Sequence, residues 1–234
     1  MKKLLLLLLF IPLVSCQNGE LIKKYYENGA LQLTVNIVDG LKQGELKVYF
    51  ESGELKYTGN YVDDVRQGEE KWYYKSGELQ FTANFVDDLV QGSKEYYESG
   101  ELKGISNYVD DLKQGLENTY YESGQLQMTL NYVDGLAQKE WKQYFESGEL
   151  KYIGNYVDDV QQGEAKSYYK SGKLKSTFNN VDGLVQGESK NYYESGELKG
   201  TGNYVDGLKQ GEWNQYFESG ELKSTVNYVD GVEQ

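Results

Sequence analysis

The sequence predicts an all-β protein: an elongated antiparallel single-layer β-meander of about nine stacked β-hairpin repeats. Three observations predict it. Turn glycines recur at Gly29, Gly53, Gly77, Gly100, Gly124, Gly148, Gly172, Gly196 and Gly220, spaced by 24 residues except for 23 between Gly77 and Gly100. Each interval holds two stretches that alternate large and polar side chains, the period of a strand. Both connections between those stretches are short, so every neighbour must be antiparallel.

The chain divides into residues 1–15, 16–19 and 20–234. Lys2 and Lys3 precede an apolar run over residues 4–14, too short to cross a bilayer as a helix. The run reads as a secretory signal, to be excluded from fold reasoning. Its end, Leu13-Val14-Ser15-Cys16, resembles a bacterial lipobox. That resemblance implies cleavage before Cys16 and lipid on its sulfur and new amino group, with residues 16–19 as a lipid-anchored linker. More than one acyl chain holds a protein stably at a membrane. Gln17 resembles the sorting residue of an outer-membrane lipoprotein. The expected location is the outer membrane or cell surface in a two-membrane cell, and otherwise the outer leaflet of the plasma membrane.

The first strand of one unit is predicted from Leu55 to Val62, with Leu55, Tyr57, Gly59 and Tyr61 on one face. Residues 63–68 follow as a largely polar loop closed by Gly68; elsewhere it opens with Asp-Gly, as at Asp39-Gly40 and Asp206-Gly207, a strong hairpin signal. A second strand covers residues 69–74, and Ser76-Gly77 turns the chain into the next unit. About eighteen strands result, the last ending at Val229. Such a sheet has no opposite layer, so large side chains must cover its aromatic face, and its stability is a sum over repeats and their interfaces.

Position-by-position comparison shows how the face is filled. Leucine opens and valine closes the first strand in all nine units, from Leu31 and Val38 to Leu222 and Val229. Two middle positions trade size: Tyr57/Gly59, Phe81/Ala83, Tyr152/Gly154, Ser176/Phe178 and Ser224/Val226. Large beside small conserves volume, the behaviour of a core. Gly104/Ser106 and Gly200/Gly202 leave the face nearly empty, while Leu33/Val35 and Met128/Leu130 fill it twice. Two aromatics end the second strand. The first is always Tyr (Tyr25 to Tyr216), and the second accepts Phe50, Phe145 and Phe217. The Phe-tolerant site is predicted to be buried, and the all-Tyr site to use its hydroxyl or face water. Charge alternation such as Glu54-Leu55-Lys56 reads as cross-strand pairing. Residues 49–80 and 144–175 agree at 26 of 32 positions, so a four-unit block has been copied. One residue is missing within 92–97, and Lys139 stands where other units have a loop glycine. Both are expected to be irregular.

The units, as in Tyr192-Tyr193-Glu194-Ser195-Gly196-Glu197-Leu198-Lys199 followed by Asn203-Tyr204-Val205-Asp206-Gly207-Leu208-Lys209-Gln210-Gly211-Glu212-Trp213, resemble the bacterial variant of the MORN repeat. The resemblance covers residues 20–234 and implies stacked hairpins in one long sheet. Proteins of this variant are often grouped with an antitoxin-like family, which implies an antitoxin or immunity role as one reading. Eukaryotic MORN proteins act as scaffolds, some attached to lipid kinases; no second domain stands here to be a kinase. Gln-Gly replaces the His-Gly of the better-known motif.

Chemistry has little material. There is no histidine, and Cys16 is the one cysteine, so intrachain disulfides are impossible. Ser-Gly recurs as turn chemistry, and no nucleophile elbow occurs. Asp63/Asp64, Asp87/Asp88, Asp110/Asp111 and Asp158/Asp159 pair carboxylates, which could touch Ca²⁺ weakly. Other units carry Asp-Gly there, so a solvated turn is the favoured reading and no metal or cofactor is expected. Net charge is −13, or −15 once Lys2 and Lys3 leave with the signal, so no nucleic-acid partner is expected. The candidate partner-binding residues are Trp72, Trp141 and Trp213, which escape the repeat rule. They are either interface anchors or patches on a single-layer core. The leading expectation is a non-enzymatic, lipid-anchored scaffold for another protein. An envelope carbohydrate or peptidoglycan stacked on the tyrosine face is the alternative.

Overall fold

The computed structural model describes residues 19–234. The signal over residues 1–15 and Cys16 lie outside the described residues. The rest forms one open antiparallel sheet of 22 strands in meander order. First strands such as Leu55–Val62 and Leu198–Val205 are each eight residues long, and each pairs with the second strands before and after it. Two findings take the strand number past eighteen. Three second strands are broken near a Gln-Gly, for example into Val65–Arg66 and Gly68–Tyr73. A short strand, Val232–Glu233, also pairs with Tyr228 and Val229 beyond the expected end.

The predicted polar loop is not a loop. Val62 pairs directly with Val65, so Asp63 and Asp64 alone make the turn, both at positive φ (50° and 68°). Asp39-Gly40 does the same at 51° and 83°. Positive φ at both central residues is the type I′ geometry, whose twist matches that of the flanking strands. Aspartate tolerates this region better than most residues do, which is why Asp-Asp can replace Asp-Gly.

The strand resumes at once and then bulges. Thr34 pairs with Lys47 and Asn36 with Gln43, so Val35 faces three residues, Gly44 to Leu46. Two extra residues sit in that bulge, with Gly44 at φ 80°. The unit with the missing residue corrects the expectation of irregularity. There Ala83 pairs with Ser93, Asn84 with Gly92 and Phe85 with Val90, leaving a single extra residue. The deletion shortens the bulge and makes the ladder more continuous.

Strict alternation also fails at one place in most first strands. Tyr57 pairs with Val48, but Leu55 pairs with Tyr49, leaving Lys56 as an extra residue between them. A one-residue bulge shifts the side-chain sequence across the sheet, so Leu55 does not alternate simply with Tyr57. Lys56 instead lies over the Phe50 ring at 5.6 Å.

Lys139 behaves as the sequence warned. It adopts φ 67°, where its counterparts Gly44, Gly68, Gly163 and Gly211 lie between 71° and 83°. The left-handed conformation costs a residue with a Cβ about 1–2 kcal/mol, part of which glycine returns through its freer unfolded state. Lys139→Gly is therefore expected to stabilise the fold by ~1 kcal/mol, measured as a rise in the urea midpoint at unchanged slope. A lowered midpoint would show that the Lys139 side chain matters more than its backbone.

Candidate functional site

The sheet places one row of side chains per strand on a shared face. Register pairs set the membership: Val48 with Tyr57, Trp72 with Tyr57 and with Phe81, Trp141 with Gly154, and Trp213 with Val226. Each tryptophan is half-buried and sits among rings of neighbouring strands. Trp72 lies 4.9 Å from the Tyr57 ring and 5.1 Å from that of Phe81. Trp141 packs on Tyr152 and Tyr156 at 4.6 and 5.9 Å, and Trp213 on Tyr204 and Tyr228 at 5.1 and 6.1 Å. Tilted and edge-on rings at these distances attract beyond their burial. The three tryptophans thus serve three separate rows of one face, and the structure does not gather them into one site.

The size-trading pairs have a direct geometric basis. A Cβ on Gly59 would lie 2.2 Å from the Tyr57 hydroxyl, and one on Gly154 would lie 3.1 Å from the Tyr152 ring. The two emptied units are filled from the next strand instead. A Cβ on Gly202 would fall 2.1 Å from Trp213, so the indole occupies the vacated space. At Ser106 a polar network takes that part. Its hydroxyl donates to Glu117 Oε1 at 2.8 Å, and Lys113 Nζ donates to the same oxygen at 2.6 Å. Burial pushes the Glu117 carboxyl upward, but the bonds from Lys113 and Ser106 outweigh it and hold it below the usual range. Glu70, 1% exposed, takes the equivalent place in an earlier repeat. It accepts from the Tyr57 hydroxyl at 2.6 Å, and burial with that bond raises the phenol above its ordinary value.

Both rims of the sheet carry ladders between repeats. On the hairpin rim, Gln43 and Asp63 exchange two bonds of 3.1 Å, from Gln43 Nε2 to Asp63 Oδ1 and from the Asp63 amide to Gln43 Oε1. The Asp134, Asp206 and Asp230 amides likewise donate to Gln114, Gln186 and Gln210. The paired carboxylates have a task here. Asp64, Asp88, Asp111 and Asp159 each accept a backbone N–H of the preceding repeat, from Lys42, Arg66, Val90 and Ala137. They close the hairpin onto its neighbour. Among the described residues no three His, Cys, Asp or Glu side chains are grouped to hold a metal ion.

On the opposite rim the hydroxyl that bonds is at the Phe-tolerant position, where burial alone was expected. Tyr26, Tyr74, Tyr97, Tyr121, Tyr169 and Tyr193, all at the Phe-tolerant position, donate to the carbonyls of Tyr49, Tyr96, Tyr120, Tyr144, Tyr192 and Tyr216. The hydroxyl reaches the next repeat's backbone; the site expected to be buried is only half-buried, at Phe50 and Phe145 as at the tyrosines, and Phe217 is 48% exposed. The charge pattern needs a correction too. Most ion pairs join residues two apart on one strand, as in Lys47–Glu45, Lys71–Glu69 and Lys190–Glu188. Lys56, Lys151, Lys175 and Lys199 stand over aromatic rings instead, whereas Lys103 makes the expected cross-strand pair with Glu95 at 2.7 Å.

Sequence reasoning missed a groove near the end of the array. It has a volume of about 330 Å³ and is lined by Trp213 together with Lys175, Lys199, Lys209 and Lys223. The signal was present: the residue after the strand-opening leucine is Gln32, Gln80 or Gln127 in three earlier units but lysine in every unit from Lys151 onward.

Comparison with known proteins matches the family described as MORN repeat variant to residues 42–63, 66–87, 93–110, 113–134, 137–158, 161–179, 185–206 and 209–230. No curated protein matches the chain. Among solved structures, the GtfA/B complex bound to UDP and GlcNAc is 14% identical with a TM-score of 0.22, over 48% of this chain and 22% of that one. TcdB2–TccC3 is 14% identical with a TM-score of 0.23, over 93% and 14%. This chain therefore spans only a small part of either. A porin-like protein from Bacteroides uniformis is 11% identical with a TM-score of 0.22, over 91% of both chains. Scores this low carry no argument about shape or role.

The Gly202 contact gives a direct test of face packing. Gly202→Ala must displace the Trp213 indole and is expected to destabilise by about 1–3 kcal/mol. At Gly92 the nearest atom to a new Cβ is 3.5 Å away, so Gly92→Ala is expected to be neutral or slightly stabilising. Equal effects in denaturant unfolding would contradict the packing account.

Proposed function

This chain belongs to the MORN repeat variant family, and on that premise we propose that it is a non-catalytic, lipid-anchored envelope protein whose sheet is a scaffold for another protein. Repeats of this family commonly serve as protein- or membrane-interaction modules. The observation that carries the reading is the half-buried aromatic face. Its rows at Trp72 and Trp141 are packed sideways by their neighbours, and a single-layer sheet supplies no second layer above them. Half-covered Trp and Tyr rings held rigidly by a sheet are what interface anchors require.

Anchoring is proposed from the sequence of the leader. Lys2, Lys3, the apolar run and Leu13-Val14-Ser15-Cys16 support a lipid on Cys16 and an array outside the cytoplasm. The rigid sheet would then stand off the membrane as a long ruler of repeats, with a new row of rings every hairpin.

The test uses substitutions that other repeats already carry. Trp72→Ser copies Ser167, and Trp141→Ala copies Ala165. Capture of a partner by the anchored protein after crosslinking on intact cells is expected to fall about tenfold or more in either variant, with hydrogen-exchange protection unchanged in the repeats that do not touch the substituted ring. Palmitate-analogue labelling is expected for the native chain and lost in Cys16→Ser. Capture indifferent to both tryptophans would remove the scaffold reading, and labelling that survives the Cys16→Ser substitution would remove the anchor.

A further inference from the structure

The groove around Trp213 has a composition unlike the rest of the molecule. The chain as a whole carries 37 Asp and Glu against 24 Lys and Arg, yet four lysines and no carboxylate line this groove. Three of those lysines, Lys175, Lys199 and Lys223, occupy the same place in successive repeats. Their ammonium groups stand over the rings of Tyr169, Tyr193 and Phe217 at 5.7, 5.4 and 5.6 Å. The fourth, Lys209, is held over Trp213 at 4.5 Å and over Tyr228 at 4.7 Å. Amide side chains of Asn191, Asn214 and Gln215 complete the walls. Gly200 also lines the groove, and a Cβ there would come within 3.2 Å of the Asn214 carbonyl oxygen.

We propose that this groove binds an acidic polysaccharide, one carrying a carboxylate on alternate sugars. The charge of the lining selects an anion, and an anion gains most where no like-charged groups compete. Aromatic rings offer flat apolar surfaces to the C–H faces of sugars, and the amides offer donors and acceptors to hydroxyls, the mixture expected of a site that fixes a polar ligand. Spacing decides between polyanions. Successive lysines are two strands apart, or ~9.6 Å, which is close to the disaccharide repeat of an extended glycan. An acidic peptide strand presents like-facing side chains about every 6.6 Å. A nucleic-acid strand carries a charge about every 3.4 Å. A peptide meets this ladder only at every third like-facing side chain, and a nucleic-acid strand leaves two phosphates in three between the lysines.

The inference rests on no part of the scaffold reading, because it needs neither a protein partner nor Cys16. It is tested on the full repeat array with a short oligosaccharide of alternating glucuronate and N-acetylglucosamine, followed by calorimetry and tryptophan fluorescence. Saturable binding is expected, weakening as salt rises. An uncharged oligomer of N-acetylglucosamine is expected to bind at least about tenfold more weakly. The double variant Lys199→Gln with Lys223→Gln is expected to lose about tenfold in affinity. Gln32, Gln80 and Gln127 hold the same position in other repeats, so this variant keeps the fold, and its thermal unfolding should match the native protein. The proposal is overturned if the uronate oligosaccharide does not bind, if the uncharged one binds equally well, or if the double variant binds as the native protein does. Tighter binding of poly-glutamate or of an oligothymidylate would overturn it as well, in favour of an acidic peptide or a nucleic acid.

Discussion

A sheet with one layer must cover its own face, and that constraint shapes everything else in this molecule. In a two-layer fold a large side chain is buried by the element opposite. Among the described residues the atoms available belong to the same strand or to its neighbours, so coverage runs sideways within the sheet. Tyr57 folds over Gly59, Trp213 fills the space above Gly202, and Trp72 wedges between Tyr57 and Phe81. Large and small residues must therefore be matched between neighbours, which is the jigsaw rule of a core applied in one dimension.

The same constraint explains why the rims are so heavily bonded. A hairpin standing alone is marginal in water, so neighbours are clipped together at the hairpin rim and, wherever the second aromatic is Tyr, at the opposite rim as well. Hydrogen bonds recur at separations of 20, 22 and 23 residues, through Gln43–Asp63, the Lys42 amide with Asp64, and the Tyr26 hydroxyl with the Tyr49 carbonyl. These side chains look like surface polar residues in the sequence. In the structure they are the fastenings between repeats. Because the frame is closed at the rims, positions on the face are free to differ, and the stretch from Lys175 to Tyr228 has used that freedom to gather lysines.

The repeat and the class of fold were legible because periodicity and turn chemistry are local. Gly53, Asp39-Gly40 and the alternation of Leu55–Val62 speak for themselves, and the trade between Tyr57 and Gly59 was visible as covariation along one chain. What could not be read depends on register. Lys56 is an extra residue against Tyr49, so it stands on a ring where alternation predicts a charge partner. The deletion within 92–97 looks like damage in the sequence but removes part of a bulge that only strand pairing reveals. The hydrogen bond of the Tyr26 hydroxyl could not be read because its acceptor is a backbone carbonyl 23 residues away. The groove escaped notice because Lys175, Lys199 and Lys223 are 24 residues apart and only the pairing of strands sets them side by side.

The central claim is that stability here is transmitted from neighbour to neighbour. Hydrogen exchange resolved to single amides measures this most directly. The account predicts protection that is highest in the central repeats and falls in steps of one hairpin toward each end. The amides of Asp64 and Gly183, bonded across repeats to the carbonyls of Lys42 and Gln161, should be protected together with the strands they join. Uniform protection from Glu20 to Glu233, lost in one cooperative step, would contradict it.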